Sequence, residues 1–214
     1  MKNKGIIFSV VLVILSFLIG FYFYPQMPDQ VASHWNGAGE VDGYMSKFWG
    51  VFLMPMILLG MLLIYYFVPK IDPLKKNIKQ FMKYYEMTIL AIVGFLFYIY
   101  LLTFFWNMGY IFNMTFMLMP AMAVLFYIIG ILLKHAKRNW FIGIRTPWTL
   151  SDDTVWKKTH EKGSIMFKFF AVMFLISMFF GEYSFWFILV PILAGTLWLF
   201  YYSYVEYNKI KKKK

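Results

Sequence analysis

His34, Glu40 and Asp42 fall close together in the segment PQMPDQVASHWNGAGEVDGYMSK, with Trp35 and Asn36 beside the histidine. An imidazole and two carboxylates can hold zinc or another divalent metal. A metal there would lower the pKa of a bound water enough to attack a peptide or lipid bond near neutral pH. The dipeptides Asn36-Gly37 and Asp42-Gly43 are turn formers that could fold the three side chains together. The spacing fits no helical HExxH pattern, however, and the same residues in a loop more commonly build hydrogen-bonded turns. Both readings stay open, and a divalent metal is the one cofactor this segment suggests.

A second concentration of chemistry is KHAKRNWFIGIRTPWTLSDDTVWKKTHEKG, from Lys134 to Gly163. Arg145, between Gly143 and Pro147, could clamp a phosphate or carboxylate bidentately; otherwise it would meet lipid headgroups or satisfy loop carbonyls. Gly143 allows a turn, and Pro147 pushes Thr146 toward extended geometry. A short helix is expected next. Ser151 is its N-cap, Asp152 and Asp153 lie at the positive end of its dipole, and Lys157, Lys158 and Lys162 precede a closing Gly163. Trp156 and His160, four apart, share a face with Asp152 one turn earlier, a stripe suited to a partner. The plainer alternative is an interfacial helix that buries Trp156 and keeps its lysines near anionic headgroups of membrane lipid. Methionines, notably Met54, Met56, Met61, Met114, Met117, Met119 and Met122, make adaptable apolar surfaces suited to a hydrophobic peptide, or simply fill lipid-facing helices.

These segments must be positioned by a chain of 214 residues that is 61% hydrophobic and 23% aromatic, well above the roughly half apolar share of a soluble domain. The formal charge of +11 does not indicate direct nucleic-acid binding, because the basic residues sit in the gaps between apolar runs. Six such runs are legible: Gly5 to Tyr24, Phe48 to Val68, Tyr84 to Trp106, Ile111 to Leu133, Ile165 to Phe180 and Trp186 to Val205. The first exceeds the 7–15-residue core of a signal peptide and is expected to be retained. Pro69 and Pro73 are expected to end the second. All Lys and Arg except Lys47 and Lys168 fall in alternate gaps or at the termini, which the bias of basic residues toward the inside assigns to the cytoplasm.

The expected fold is therefore an all-α membrane protein in the cell membrane. It has six transmembrane helices, both termini cytoplasmic, a short ordered extracellular loop and a longer cytoplasmic loop with an interfacial helix. It divides into residues 1–110 and 111–214, with three spans each. Cysteine is absent, which excludes disulfides and thiolate metal sites. No apolar run carries an ionisable residue near its middle, which disfavours a proton relay. A small exporter remains open through backbone exposed at Pro55, Pro120 or Pro191.

Asn139, the run Gly143-Ile144-Arg145-Thr146-Pro147-Trp148-Thr149-Leu150, Trp156, Thr159-His160 and Gly163 together resemble the signature of the SdpI family of bacterial immunity proteins. Pro28, His34-Trp35-Asn36, Gly39-Glu40, Asp42-Gly43-Tyr44 and Ser46-Lys47 resemble the uncharacterised membrane domain that often precedes it. The resemblance implies a non-enzymatic, polytopic protein that protects a cell from a secreted antimicrobial peptide toxin. It also implies signalling, with a cytoplasmic surface holding a transcriptional repressor at the membrane. On that reading Asn139, Gly143, Arg145, Thr146, Pro147, Trp148, Trp156, His160, Trp35 and Asn36 are the candidate ligand- or partner-binding residues. A metal-dependent membrane hydrolase using His34, Glu40 and Asp42 is the alternative.

Overall fold

The computed structural model describes residues 4–212; Lys2, Lys213 and Lys214, counted above with the basic termini, lie outside the described residues. Among these residues eight α-helices and one hairpin follow in order: α1 (Lys4–Phe23), β1 (Gln30–Trp35), β2 (Val41–Ser46), α2 (Lys47–Ile71), α3 (Lys75–Gln80), α4 (Met82–Asn107), α5 (Met114–His135), α6 (Pro147–Ser151), α7 (Asp153–Ser177) and α8 (Ser184–Lys211). Helices α1, α2, α4, α5 and α8 are long and apolar enough to cross a membrane. A bilayer core has no water to satisfy backbone groups, so a helix, which satisfies its own, is the form these runs adopt. Large apolar side chains such as Leu18, Leu63, Val124 and Leu197 stay exposed on their outer faces, as a lipid-facing surface requires.

Three local expectations change. Helix α2 runs through Pro69 to Ile71; its stop is Asp72, held extended by the following Pro73, while its N–H still caps the Val68 carbonyl at 3.2 Å. The N-cap of α7 is Asp152, whose side chain accepts from the Thr154 and Val155 amides, and Ser151 instead ends α6. Gly163 does not close a helix. Its missing side chain makes room for Ile144, whose Cδ1 would lie 2.4 Å from an added Cβ. The expected short interfacial helix is thus the charged first half of the continuous 25-residue α7. Those charges, Lys157, Lys158, Glu161 and Lys162 together with Lys168, keep α7 outside the set of five apolar helices.

Among the described residues three buried clusters join the elements, one of them, Met27, Val51, Phe52, Tyr100 and Phe104, beneath the hairpin end. Tyr65, Ile78, Phe81, Tyr85 and Leu132 gather with Trp156, which ties α2, α3 and α4 to α5 and α7. Met119, Ala123, Phe170, Phe174 and Ile188 join α5, α7 and α8. The helices alternate in direction, so the hairpin sits at one end of the bundle and the Lys134 to Gly163 segment at the other.

Candidate functional site

At the hairpin end, β1 pairs antiparallel with β2, Gln30 opposite Ser46, with irregular register around His34. The connection is organised by Asn36. Its Oδ1 accepts from the Ala38 and Glu40 amides at 2.9 and 3.0 Å, and its Nδ2 donates to Glu40 Oε2 at 3.2 Å. Gly39, at φ 84, completes the turn. Asp42-Gly43 is not a turn but lies inside β2, with Gly43 opposite His34.

This register sets where the three candidate metal ligands lie. His34 Nδ1 meets Asp42 Oδ1, while Glu40, outside the strand, is drawn to Asn36. The three expected ligands therefore do not converge, and among the described residues no three His, Cys, Asp or Glu side chains come together.

The hairpin is fastened to the bundle by side-chain amides. Asn107 accepts from the Ala32 amide and donates to its carbonyl, at 2.7 and 3.0 Å, standing in for a neighbouring strand. Asn113 donates to the Ala38 carbonyl at 2.9 Å while its Oδ1 caps α5. On either side of His34-Trp35 lie cavities of about 260 and 470 Å³, which share Thr115 and Leu118 as walls. Trp49, Leu53 and Met54 line the first; Met119, Met122, Phe174 and Ile188 line the second. The Trp35 indole N–H is buried and has no hydrogen-bond partner among the described residues.

At the opposite, basic end, the Lys134 to Gly163 segment is a folded knot. Asn139, fully buried, donates to the Lys137 and Ile142 carbonyls and accepts from the Phe141 and Ile142 amides. Gly143 has φ 113, and a Cβ there would lie 2.3 Å from His160 Nε2. Thr146 and Thr149 form a capping box at the start of α6, with Pro147 in its first turn. The Thr146 hydroxyl also meets Ser203 of α8 at 2.9 Å, and Trp148 packs edge-on against Phe200. Trp156 donates from Nε1 to the Ala136 carbonyl at 2.8 Å.

His160 uses both ring nitrogens. Nδ1 lies 2.8 Å from the Trp156 carbonyl, which can only accept, and Nε2 lies 3.0 Å from the Ile144 amide, which can only donate. The ring must therefore be the neutral Nδ1–H tautomer. Burial pushes its pKa down to about 4, against a smaller opposing effect of the Trp156 carbonyl.

Of the residues singled out here by sequence, Asn139, Gly143, Thr146, Pro147, Trp148, Trp156 and His160 build this knot. Arg145 differs: it is exposed, donates to the Trp140 carbonyl at 2.7 Å, and stands beside exposed Trp140 and Phe141. Sequence reasoning missed Asp72. This buried carboxylate accepts from Leu74 N at 2.6 Å and Trp140 N at 2.9 Å, joining the α2–α3 connection to the knot. Its signal was a lone acid between two prolines in a lysine-rich gap. Glu206 was also passed over as a span-end acid; it is buried and pairs with Lys158 and Lys209, each at 2.7 Å.

Residues 135–203 match the SdpI/YfhL protein family, and residues 11–59 match a domain of unknown function, DUF1648. Over 208 residues the chain is 28% identical to "Immunity protein SdpI" of Bacillus subtilis (strain 168), covering 97% of this chain and 98% of that relative. No solved structure matches.

Proposed function

We propose that this chain, whose residues 135–203 match the SdpI/YfhL protein family, belongs to that family and is an integral membrane immunity protein, protecting its cell from a secreted antimicrobial peptide toxin. The observation that carries this reading is the pair of apolar cavities meeting at Trp35, in a chain that aligns nearly end to end with an immunity protein. Their methionine-bearing walls suit an apolar peptide, and the unpartnered Trp35 N–H offers a donor to a peptide carbonyl.

The reading takes the apolar second half of α7 as a sixth span, from about Ile165. The chain then lies in the cell membrane with both termini in the cytoplasm, the hairpin outside and the knot inside. Three spans fall in residues 1–110 and three in 111–214. The distribution of basic residues supports this orientation. Arg145, with Trp140 and Phe141, then faces the cytosol as the surface on which a transcriptional repressor would be held. The hydrolase alternative is not favoured, because Glu40 is committed to Asn36 and the ligand set it required is not assembled.

The test is survival of a toxin-sensitive host expressing the full chain. Protection is expected, and Leu118→Trp, which fills the shared wall of both cavities, should abolish it at unchanged membrane level. Absence of protection by the unmodified chain, correctly inserted, would overturn immunity. Undiminished protection by Leu118→Trp would overturn the cavities as the toxin site. Loss of repressor-dependent reporter output in Arg145→Ala, with protection intact, is the expected sign of the inward surface.

A further inference from the structure

A cavity of about 510 Å³ opens at the basic end, between the end of α3, the first turn of α4, the last turn of α5 and the first half of α7. Its volume lies within the roughly 300–1,000 Å³ of small-molecule sites. Lys134, Lys137 and Lys157 line it, all exposed and none in an ion pair among the described residues. Arg138 is a fourth cation, but its Nε lies 2.8 Å from Asp153, so that acid is already spent. Glu161 is the remaining carboxylate. Positive charge is thus left in excess around one concavity, and the mutual repulsion of the ammonium groups falls when an anion enters.

The position selects the anion. Buried Leu133 closes the apolar part of α5, and Lys134 and His135 form its last turn. Tyr84, near the start of α4, stacks on His135 with ring centroids 3.7 Å apart. Two apolar helices therefore give way to polar groups at the level of this cavity, where phosphates of a bilayer lie and where lysine stems can reach them. Gln80 in the wall adds a neutral donor.

We propose that this cavity binds the phosphate of an anionic membrane phospholipid, with Lys134, Lys137 and Lys157 as its charged contacts. The site lies at the opposite end of the bundle from the toxin cavities and does not depend on the immunity reading.

The full chain in uncharged detergent is titrated separately with dioctanoyl-phosphatidylglycerol, dioctanoyl-phosphatidylcholine and inorganic phosphate, following thermophoresis. Saturable binding of phosphatidylglycerol is expected, with phosphatidylcholine about tenfold weaker or worse. The triple variant Lys134→Gln, Lys137→Gln, Lys157→Gln should weaken phosphatidylglycerol binding about a hundredfold. The equally neutralised Lys75→Gln, Lys76→Gln, Lys211→Gln should leave it unchanged. Equal binding of the two lipids by the unmodified chain, or equal loss in both triple variants, would overturn the site. Displacement of the lipid by inorganic phosphate at similar concentration would reassign it to a soluble phosphate.

Discussion

The rings of Trp156 and His160 lie face to face, 4.0 Å between centroids and 17° between planes, and each holds a different part of the basic-end segment. Trp156 fixes its entry at Ala136, and His160 fixes its middle at Ile144. Two side chains one turn apart on α7 thereby convert a long polar connection into a packed element, and His160 does so only while neutral.

That requirement makes the knot sensitive to acid. His160 has a pKa near 6.5 when unfolded and about 4 when buried, so between these values the unfolded chain binds a proton that the folded chain does not. Stability is complete above pH 6.5 and falls as pH drops toward 4, by about 3 kcal/mol in all. Thermal unfolding of the detergent-solubilised chain should show a lower midpoint at pH 5 than at pH 7.5. In His160→Phe this part of the pH dependence should vanish; an unchanged pH slope in that variant would place the acid sensitivity elsewhere.

Gly143→Ala tests the same contact from the loop side. The substitution meets both a left-handed backbone and a Cβ inside the van der Waals radius of His160 Nε2. A loss of roughly 2–4 kcal/mol is expected, with a lower melting point and reduced membrane level. Gly94→Ala, where a Cβ meets nothing within 4 Å, should leave both unchanged.

Five long apolar helices were legible because the length a bilayer demands is written in local composition, and an ordered turn because Asn36-Gly37 is a turn signal; the pairing of β1 with β2 in an otherwise helical chain was not. The three metal-ligand candidates were legible as residue types but not as a site. Glu40 lies in the turn before β2 and is held by the Asn36 side chain, while only His34 and Asp42 meet across the strands, and both depend on pairing across the turn. Likewise Gly163 reads as a helix stop from sequence alone. Only the arrival of Ile144, contributed by a loop nineteen positions earlier, shows it to be a packing glycine inside a longer helix. Asp72 was invisible as a contact for the same reason: its partner Trp140 is distant in the chain.

Asp72 should couple the α2–α3 connection to the knot. Asp72→Ala removes the acceptor for the Leu74 and Trp140 amides, which at a buried carboxylate costs about 2–3 kcal/mol. Amide hydrogen exchange should accelerate at Trp140 and Leu74 while the hairpin amides of β1 and β2 keep their protection. Unchanged exchange at Trp140 would show that packing of Phe81 and Trp156, not this carboxylate, holds the two segments together.

Asn36 bears the corresponding load at the other end, and its loss separates fold from function. Its side chain fixes the turn through Ala38 and Glu40, and its carbonyl receives Thr115 at 3.4 Å, so the turn and the wall shared by both cavities are linked. The Ala38 and Glu40 bonds are exposed, each worth about 0.5–1.5 kcal/mol, and the buried clusters do not include them. Asn36→Ala should therefore barely move the melting point, speed exchange at the Ala38 and Glu40 amides, and lower protection against the toxin severalfold. His34→Ala removes the exposed contact to Asp42 and trims the rim of both cavities while leaving the turn in place, and should lower protection less than Asn36→Ala. If His34→Ala abolished protection while Asn36→Ala did not, the imidazole itself, rather than the cavity shape set by the turn, would be the group that meets the toxin.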